Sequence, residues 1–81
     1  MEYFVYIVKC SDDTLYTGIA TDIQRRLAEH NNSEKGAKYT RVRRPVELVY
    51  SEVCEDRSGA SKREYAIKKL SRKAKLELIN A

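Results

Sequence analysis

The chain carries only two cysteines, three glycines and one proline, and it has no tryptophan. Cys10 and Cys54 stand in no CxxC pair and no Cys/His cluster of zinc spacing. That argues against a structural zinc site and leaves at most one disulfide, the plainer reading being two reduced, partly buried thiols. Glycines this sparse form no phosphate-cradling loop. The longest strongly apolar run, Phe4 to Val8, falls far short of the roughly 20 residues that span a bilayer. Met1-Glu2-Tyr3 lacks the basic opening of a signal peptide, so the expectation is a cytoplasmic chain that does not enter a membrane. With no internal repeat and no linker, residues 1–81 read as a single domain, and no heptad or large apolar patch argues against a monomer.

What the chain does have is 42% hydrophobic and 35% charged residues, the balance of a folded globular domain. Charge is segregated. From Arg57 to Lys75 there are eight basic residues and one acid, Glu64, a local sum of +7 within a net charge of +4, so the remainder sums to −3. Such a distribution is the electrostatic footprint of a nucleic-acid-binding protein, or a solvated basic helix face.

Tyr3 to Lys9 is apolar on both alternating faces and rich in aromatic and β-branched residues, which predicts a central strand. Ser11-Asp12-Asp13 supplies a turn and Thr14 to Ile19 a second strand, so a hairpin should bring Tyr6 and Tyr16 near opposite each other. They read as two phenols at one site or as a cross-strand aromatic pair of the core. Thr21 to Gln24 has the form of a capping box for a helix running to about His30. On that helix Arg26 and His30 share a side bordering the Ile23 and Leu27 stripe. They fit a snorkelling arginine and a histidine favoured by the helix dipole, or a functional pair.

Residues 31–36 read as loop, and from Gly36 to Pro45 basic and aromatic side chains interleave. Lys38, Arg41, Arg43 and Arg44 are candidates for phosphate contact there, or parts of a surface loop held by Tyr39. Val46 to Cys54 alternates as a third strand. A helix is expected from about Asp56 to Leu70, and a short one from Arg72 to Ile79 capped by Ser71. Lys68, Lys69, Arg72 and Lys73 are the candidate binding cations of this region. Glu64 has an ordinary structural reading as well, since Ser61-x-x-Glu64 is a capping-box pattern and Lys68 lies at i+4 for an ion pair.

Phe4-Val5-Tyr6, Tyr16-Thr17-Gly18 ten residues on, Arg26 and His30 on the next helix and Glu64 on a later one together resemble the GIY-YIG nuclease family. Gly36 to Arg41, Arg43 to Val46 and Arg63 to Leu70 are similar to its small stand-alone YhbQ-like subgroup, so the likeness covers nearly the whole chain. The resemblance implies an α+β domain, a three-stranded antiparallel sheet flanked by helices, which agrees with the elements read above. It also implies an endonuclease that hydrolyses phosphodiester bonds with one divalent metal, Mg²⁺ or Mn²⁺. On that mapping Glu64 holds the metal and Arg26 grips the phosphate. Tyr6 and Tyr16 surround the attacking water, and His30 assists the phenol or holds Tyr16 or a phosphate. A phenol with an ordinary pKa near 10 is a poor base at neutral pH, so these neighbours are expected to favour its phenolate.

Phe4 and Thr17 depart from the two tripeptides without removing a reactive group. Gly18 is expected to allow a close backbone approach. Asn80 lies near, though not in register with, a polar residue the family often has beside the metal glutamate. DNA is the expected substrate, with RNA left open, and affinity must come from the chain's own basic surface or from a partner protein. Two other readings stand beside the nuclease: a nucleic-acid-binding module of the same fold without catalysis, and a small basic RNA-binding protein of ribosomal type.

Overall fold

The computed structural model describes residues 2–81. The elements run β1 (Tyr3–Lys9), β2 (Leu15–Ala20), α1 (Ile23–Asn32), α2 (Lys38–Arg41), β3 (Glu47–Cys54), α3 (Arg57–Lys68) and α4 (Arg72–Ile79). The fold is α+β: an antiparallel sheet of three strands in the order β2-β1-β3, with helices against both faces. The uniformly apolar β1 is central because only a strand covered on both sides can bury Val5, Ile7 and Val8 completely. Tyr6 and Val8 point into the core under α1, where Ile23 and Leu27 pack on them. Val5 and Ile7 point the other way, onto Ala60 and Ile67 of α3 and Leu78 and Ile79 of α4.

The register differs from the expected tyrosine pair. Tyr6 lies opposite Gly18, and Tyr16 opposite Val8. The reason is the turn: Asp12 accepts hydrogen bonds from the Thr14 N–H at 3.1 Å and hydroxyl at 2.6 Å, which keeps Thr14 in the turn, so β2 starts at Leu15. The tyrosines are therefore diagonal neighbours on one face. The capping box expected at α1 gives way to an aspartate, α3 begins after Asp56 as expected, and the Ser61-x-x-Glu64 pattern caps no terminus. Asp22, not Thr21, caps α1 by accepting from the Arg25 N–H, and Asp56 caps α3 by accepting from Gly59. Aspartate is among the strongest N-caps, and Ser61 and Glu64 lie inside α3 with no terminus to cap. Ser71 caps α4 as its position suggests. The run after Gly36, read as loop, contains the single turn of α2. Cys10 and Cys54 are free thiols, and no helix among the described residues is long and apolar enough to cross a membrane.

Two contacts in the α1 layer leave little tolerance. The Tyr6 ring lies over the Gly18 backbone so closely that a Cβ there would stand 2.5 Å from Oη and 2.7 Å from Cζ. Gly18 does not have a positive φ, so space and not conformation demands glycine. His30, in the last turn of α1, has no solvent exposure. Burial pushes its pKa down from 6.5 to about 4, helped by the nearby positive charges of Arg26 and Arg44 and opposed by Glu29.

Gly18→Ala should therefore lower unfolding free energy by about 1–3 kcal/mol in urea titration, the usual scale of overpacking; a change within about 0.5 kcal/mol would mean the ring moves aside freely. The unfolded chain binds the His30 proton more readily than the folded one, so this group's contribution is intact above pH 6.5 and falls as pH drops toward 4. The loss should total roughly 3 kcal/mol over that window. Urea midpoints of the native chain and His30→Gln should converge between pH 7 and pH 4.5; a constant gap would contradict the assignment.

Candidate active site

Tyr6, Tyr16 and His30 form one aromatic group in the α1 layer. The Tyr6 hydroxyl lies 2.7 Å from His30 Nε2. The Tyr16 ring meets the imidazole edge-on, centroids 5.5 Å apart at 69°, and stacks on Tyr39 at 5.9 Å. His30 thus holds Tyr6 by hydrogen bond and Tyr16 only by packing. The direction of the Tyr6 bond follows from what else faces the phenol. Tyr6 is only 2% exposed, and its other hydrogen-bonding neighbour is the Arg26 guanidinium, which can only donate. Within the protein the hydroxyl proton has His30 Nε2 as its acceptor, and leaving it buried and unpaired would cost about 1–3 kcal/mol.

Tyr6 is not a phenolate at neutral pH. Burial raises its pKa from 10.0 to about 12, and the adjacent Arg26, which pulls the other way, does not overcome it. Arg26 by itself therefore does not favour the phenolate, because the desolvation of a nearly enclosed ring outweighs one partly buried cation.

Arg26 and Glu64 meet at the edge of the sheet. They line one open cleft of about 450 Å³ along the end of β2, with Thr21, Arg25 and Glu29 on one side and Arg57 and Ser61 on the other. α1 and α3 cover opposite faces, and the β2 edge is where both can contribute to one surface. Arg26 is pre-oriented: Nη1 donates to Glu29 Oε1 at 3.0 Å and to the Lys35 carbonyl at 2.7 Å, leaving Nε and Nη2 for other acceptors. The arginine, first among the causes, holds the Glu29 carboxyl below its ordinary range. Glu64 is paired with Lys68 at 3.2 Å, the i,i+4 contact its spacing foretells.

The donor set at Glu64 fits a hard divalent cation. Among the described residues no three His, Cys, Asp or Glu side chains come together as a protein cage. Glu29 is occupied by Arg26, which leaves one carboxylate in a roomy cleft. Mg²⁺ keeps several waters and takes one or two protein oxygens, so Glu64 with water suits it, provided Lys68 swings away.

The candidate binding cations separate into two groups. Lys68, Lys69, Arg72 and Lys73 are exposed around the α3–α4 junction, Lys69 lying over the Tyr65 ring at 4.5 Å. The side chain of Lys38 stands at the start of α2. The arginines of the 36–45 segment are instead internal ties. Arg44 donates to the carbonyls of Glu29, His30 and Ser33, satisfying the open end of α1. Arg43 pairs with Asp12 at 3.1 Å, donates to the Tyr39 carbonyl and covers the Tyr39 ring at 3.9 Å. Arg41 donates to the Glu34 carbonyl. Asn80 is the exposed C-cap of α4, outside the cleft lining.

Four participants escape a reading of the sequence. Glu29 carries a signal, since it stands three residues from Arg26 on a helix. Arg25 and Arg57 look like any exposed cations until the cleft gathers them. Thr40, fully buried against His30, carries no local signal at all.

A family model described as the GIY-YIG catalytic domain matches residues 2–77. A UPF0213 protein of Desulfotalea psychrophila is 67% identical over 79 residues, 98% of this chain and 72% of that protein. One from Staphylococcus saprophyticus is 56% identical over 79 residues, 98% of this chain and 95% of its own length. The solution NMR structure of a protein from E. faecalis aligns with a TM-score of 0.68 at 45% identity, covering 99% of this chain and 84% of that one. The solution NMR structure of the UPF0213 protein of Bacillus halodurans aligns at 0.63 and 44%, with the same coverage. With two tyrosines on paired strands, an arginine on the next helix, a glutamate across the sheet edge and a family match over nearly its full length, this chain belongs to the GIY-YIG nuclease family.

Proposed function

We propose that this chain is a metal-dependent endonuclease that hydrolyses phosphodiester bonds in DNA, acting on branched, nicked or damaged structures with little sequence preference. The observation that carries the reading is the cleft itself, in which Arg26 and Glu64 from opposite faces of the sheet line one surface beside the Tyr6 hydroxyl. A non-catalytic binder has no chemical need for a carboxylate there among three arginines. A divalent metal bound at Glu64 would neutralise charge on the scissile phosphate and stabilise the leaving oxygen. The protein works as a monomer in the cytoplasm, with DNA held by its own basic surface.

The chain's own residues do the rest. Arg26, braced by Glu29 and the Lys35 carbonyl, presents its remaining N–H groups to non-bridging phosphate oxygens, where developing charge is stabilised without reorganisation. Water attacks phosphorus, and a new P–O bond forms as the bond to the leaving oxygen breaks. The attacking water's proton passes to Tyr6 Oη while the phenol's own proton moves along the existing 2.7 Å hydrogen bond to His30 Nε2. Tyr6 thereby acts as a base without ever resting as a phenolate. His30 is neutral at physiological pH and free to accept. Its low basicity, next to Arg26, means the proton is returned promptly. Tyr16, half-exposed beside His30, orients the water.

Nicking of supercoiled plasmid and of a branched junction tests the reading. Cleavage should require Mg²⁺ or Mn²⁺, stop in EDTA and vanish in Glu64→Ala; Arg26→Lys should lose about 10²–10³-fold in turnover with folding intact. Cleavage that persists in EDTA or in Glu64→Ala would sink the metal assignment. Binding without cleavage, alike in native and Glu64→Ala proteins, would favour the binding module. A second test concerns the surface. Replacing Lys68, Lys69, Arg72 and Lys73 with glutamine should flatten the log–log salt dependence of DNA affinity by about 0.9 for each phosphate no longer neutralised. An unchanged slope would move the binding face elsewhere.

A further inference from the structure

Thr40 is a threonine with no exposure at all, on a single-turn helix in an otherwise polar segment. Its hydroxyl oxygen lies 2.8 Å from His30 Nδ1 and 2.9 Å from the carbonyl of Ala37, the residue preceding α2. The Ala37 N–H also approaches Nδ1, at 3.4 Å. Two arrangements of protons are open to this cluster. In one, Nδ1 is bare and receives the Thr40 and Ala37 donors, while Nε2–H donates to Tyr6. In the other, Nδ1–H donates to Thr40, whose hydroxyl passes its own proton to the Ala37 carbonyl, and Nε2 is bare.

The Tyr6 phenol decides between them. In the first arrangement its buried O–H has no acceptor in the protein, because Arg26 is a donor only. The second satisfies the Tyr6, His30 and Thr40 hydrogens in three bonds of 2.7, 2.8 and 2.9 Å and forgoes only the long Ala37 contact. Leaving a buried hydroxyl unpaired is the costlier choice.

We propose that Thr40 is a positioning residue that holds His30 in the Nδ1–H tautomer, so that Nε2 stays bare to receive the Tyr6 proton. The tautomer follows from hydrogen bonding alone; its catalytic meaning rests on the nuclease reading. Thr40 acts because its oxygen can accept from the ring while its proton is committed to Ala37. Valine has nearly the same shape and no acceptor, whereas serine keeps the hydroxyl.

The test exploits the single histidine of the chain, which makes its ¹⁵N signals unambiguous. Long-range ¹H–¹⁵N correlation at pH 7 should give Nδ1–H for the native protein and Thr40→Ser, and a shift toward Nε2–H in Thr40→Val. Nicking should fall by about 10²-fold or more in Thr40→Val, the scale of lost general-base catalysis, and stay near native in Thr40→Ser. A bare Nδ1 in the native protein overturns the proposal even if Thr40→Val does not fold. So does a Thr40→Val ring that keeps Nδ1–H. A native protein with the expected tautomer pattern and no cleavage of any nucleic acid refutes the nuclease reading and leaves the positioning role of Thr40 standing.

Discussion

The close approach of the Tyr6 ring to the bare backbone of Gly18 is the constraint on which the site depends. With no side chain opposite it in β2, the ring lies across the neighbouring strand and carries its hydroxyl to a histidine 24 residues away. That bond ties α1 to the centre of the sheet. His30 in turn reaches Thr40, so the segment after α1 folds back over the helix end, where Gly36 packs against the backbone of Glu29 and His30 too tightly for any Cβ. Arg44 completes the turn by bonding the carbonyls that α1 leaves open. Polar groups far apart in the chain thus form one satisfied network, and no buried side-chain polar atom among the described residues is left without a partner.

A three-stranded sheet places its edge close to its centre, and the site uses that. Arg26 and Glu64 ride on helices that cover opposite faces and would be separated by the full thickness of a wider sheet. At the β2 edge they line one cleft. Each is held by an oppositely charged residue on its own helix, Glu29 for the arginine and Lys68 for the glutamate. The two pairs differ in consequence. Glu29 fixes the guanidinium in a working position and leaves other N–H groups available, whereas Lys68 covers the carboxylate oxygen a cation would need.

Burial sets the proton chemistry. Both members of the Tyr6–His30 pair are neutral at physiological pH, the phenol because its anion is desolvated and the imidazole because its cation is, with Arg26 reinforcing the second effect and opposing the first. A neutral donor bonded to a neutral acceptor is a stable resting arrangement that can still pass a proton on. The basic surface lies apart from this pair. Its exposed cations lie at the α3–α4 junction, Lys68 on the same helix as Glu64 and Arg72 and Lys73 on α4.

Local patterns in the sequence suffice for the strands and for the helices other than α2, and the likeness to a known family singles out Tyr6, Tyr16, Arg26, His30 and Glu64. An apolar β1 has to be central, Ser71 has to cap α4, and Lys68 has to reach Glu64, because each follows from spacing along a few residues. Tertiary structure alone decided the rest. The pairing of Tyr6 with Gly18 depends on how Asp12 holds Thr14 in the turn, and a shift of two residues in register keeps the hydrophobic pattern intact. Arg43 and Arg44 read as phosphate ligands because a guanidinium in sequence carries no sign of the carbonyls it will meet. The tyrosine bonded to His30, the rise of the Tyr6 pKa and the part of Thr40 all depend on burial and on contacts across 10 to 24 residues, which no local pattern encodes.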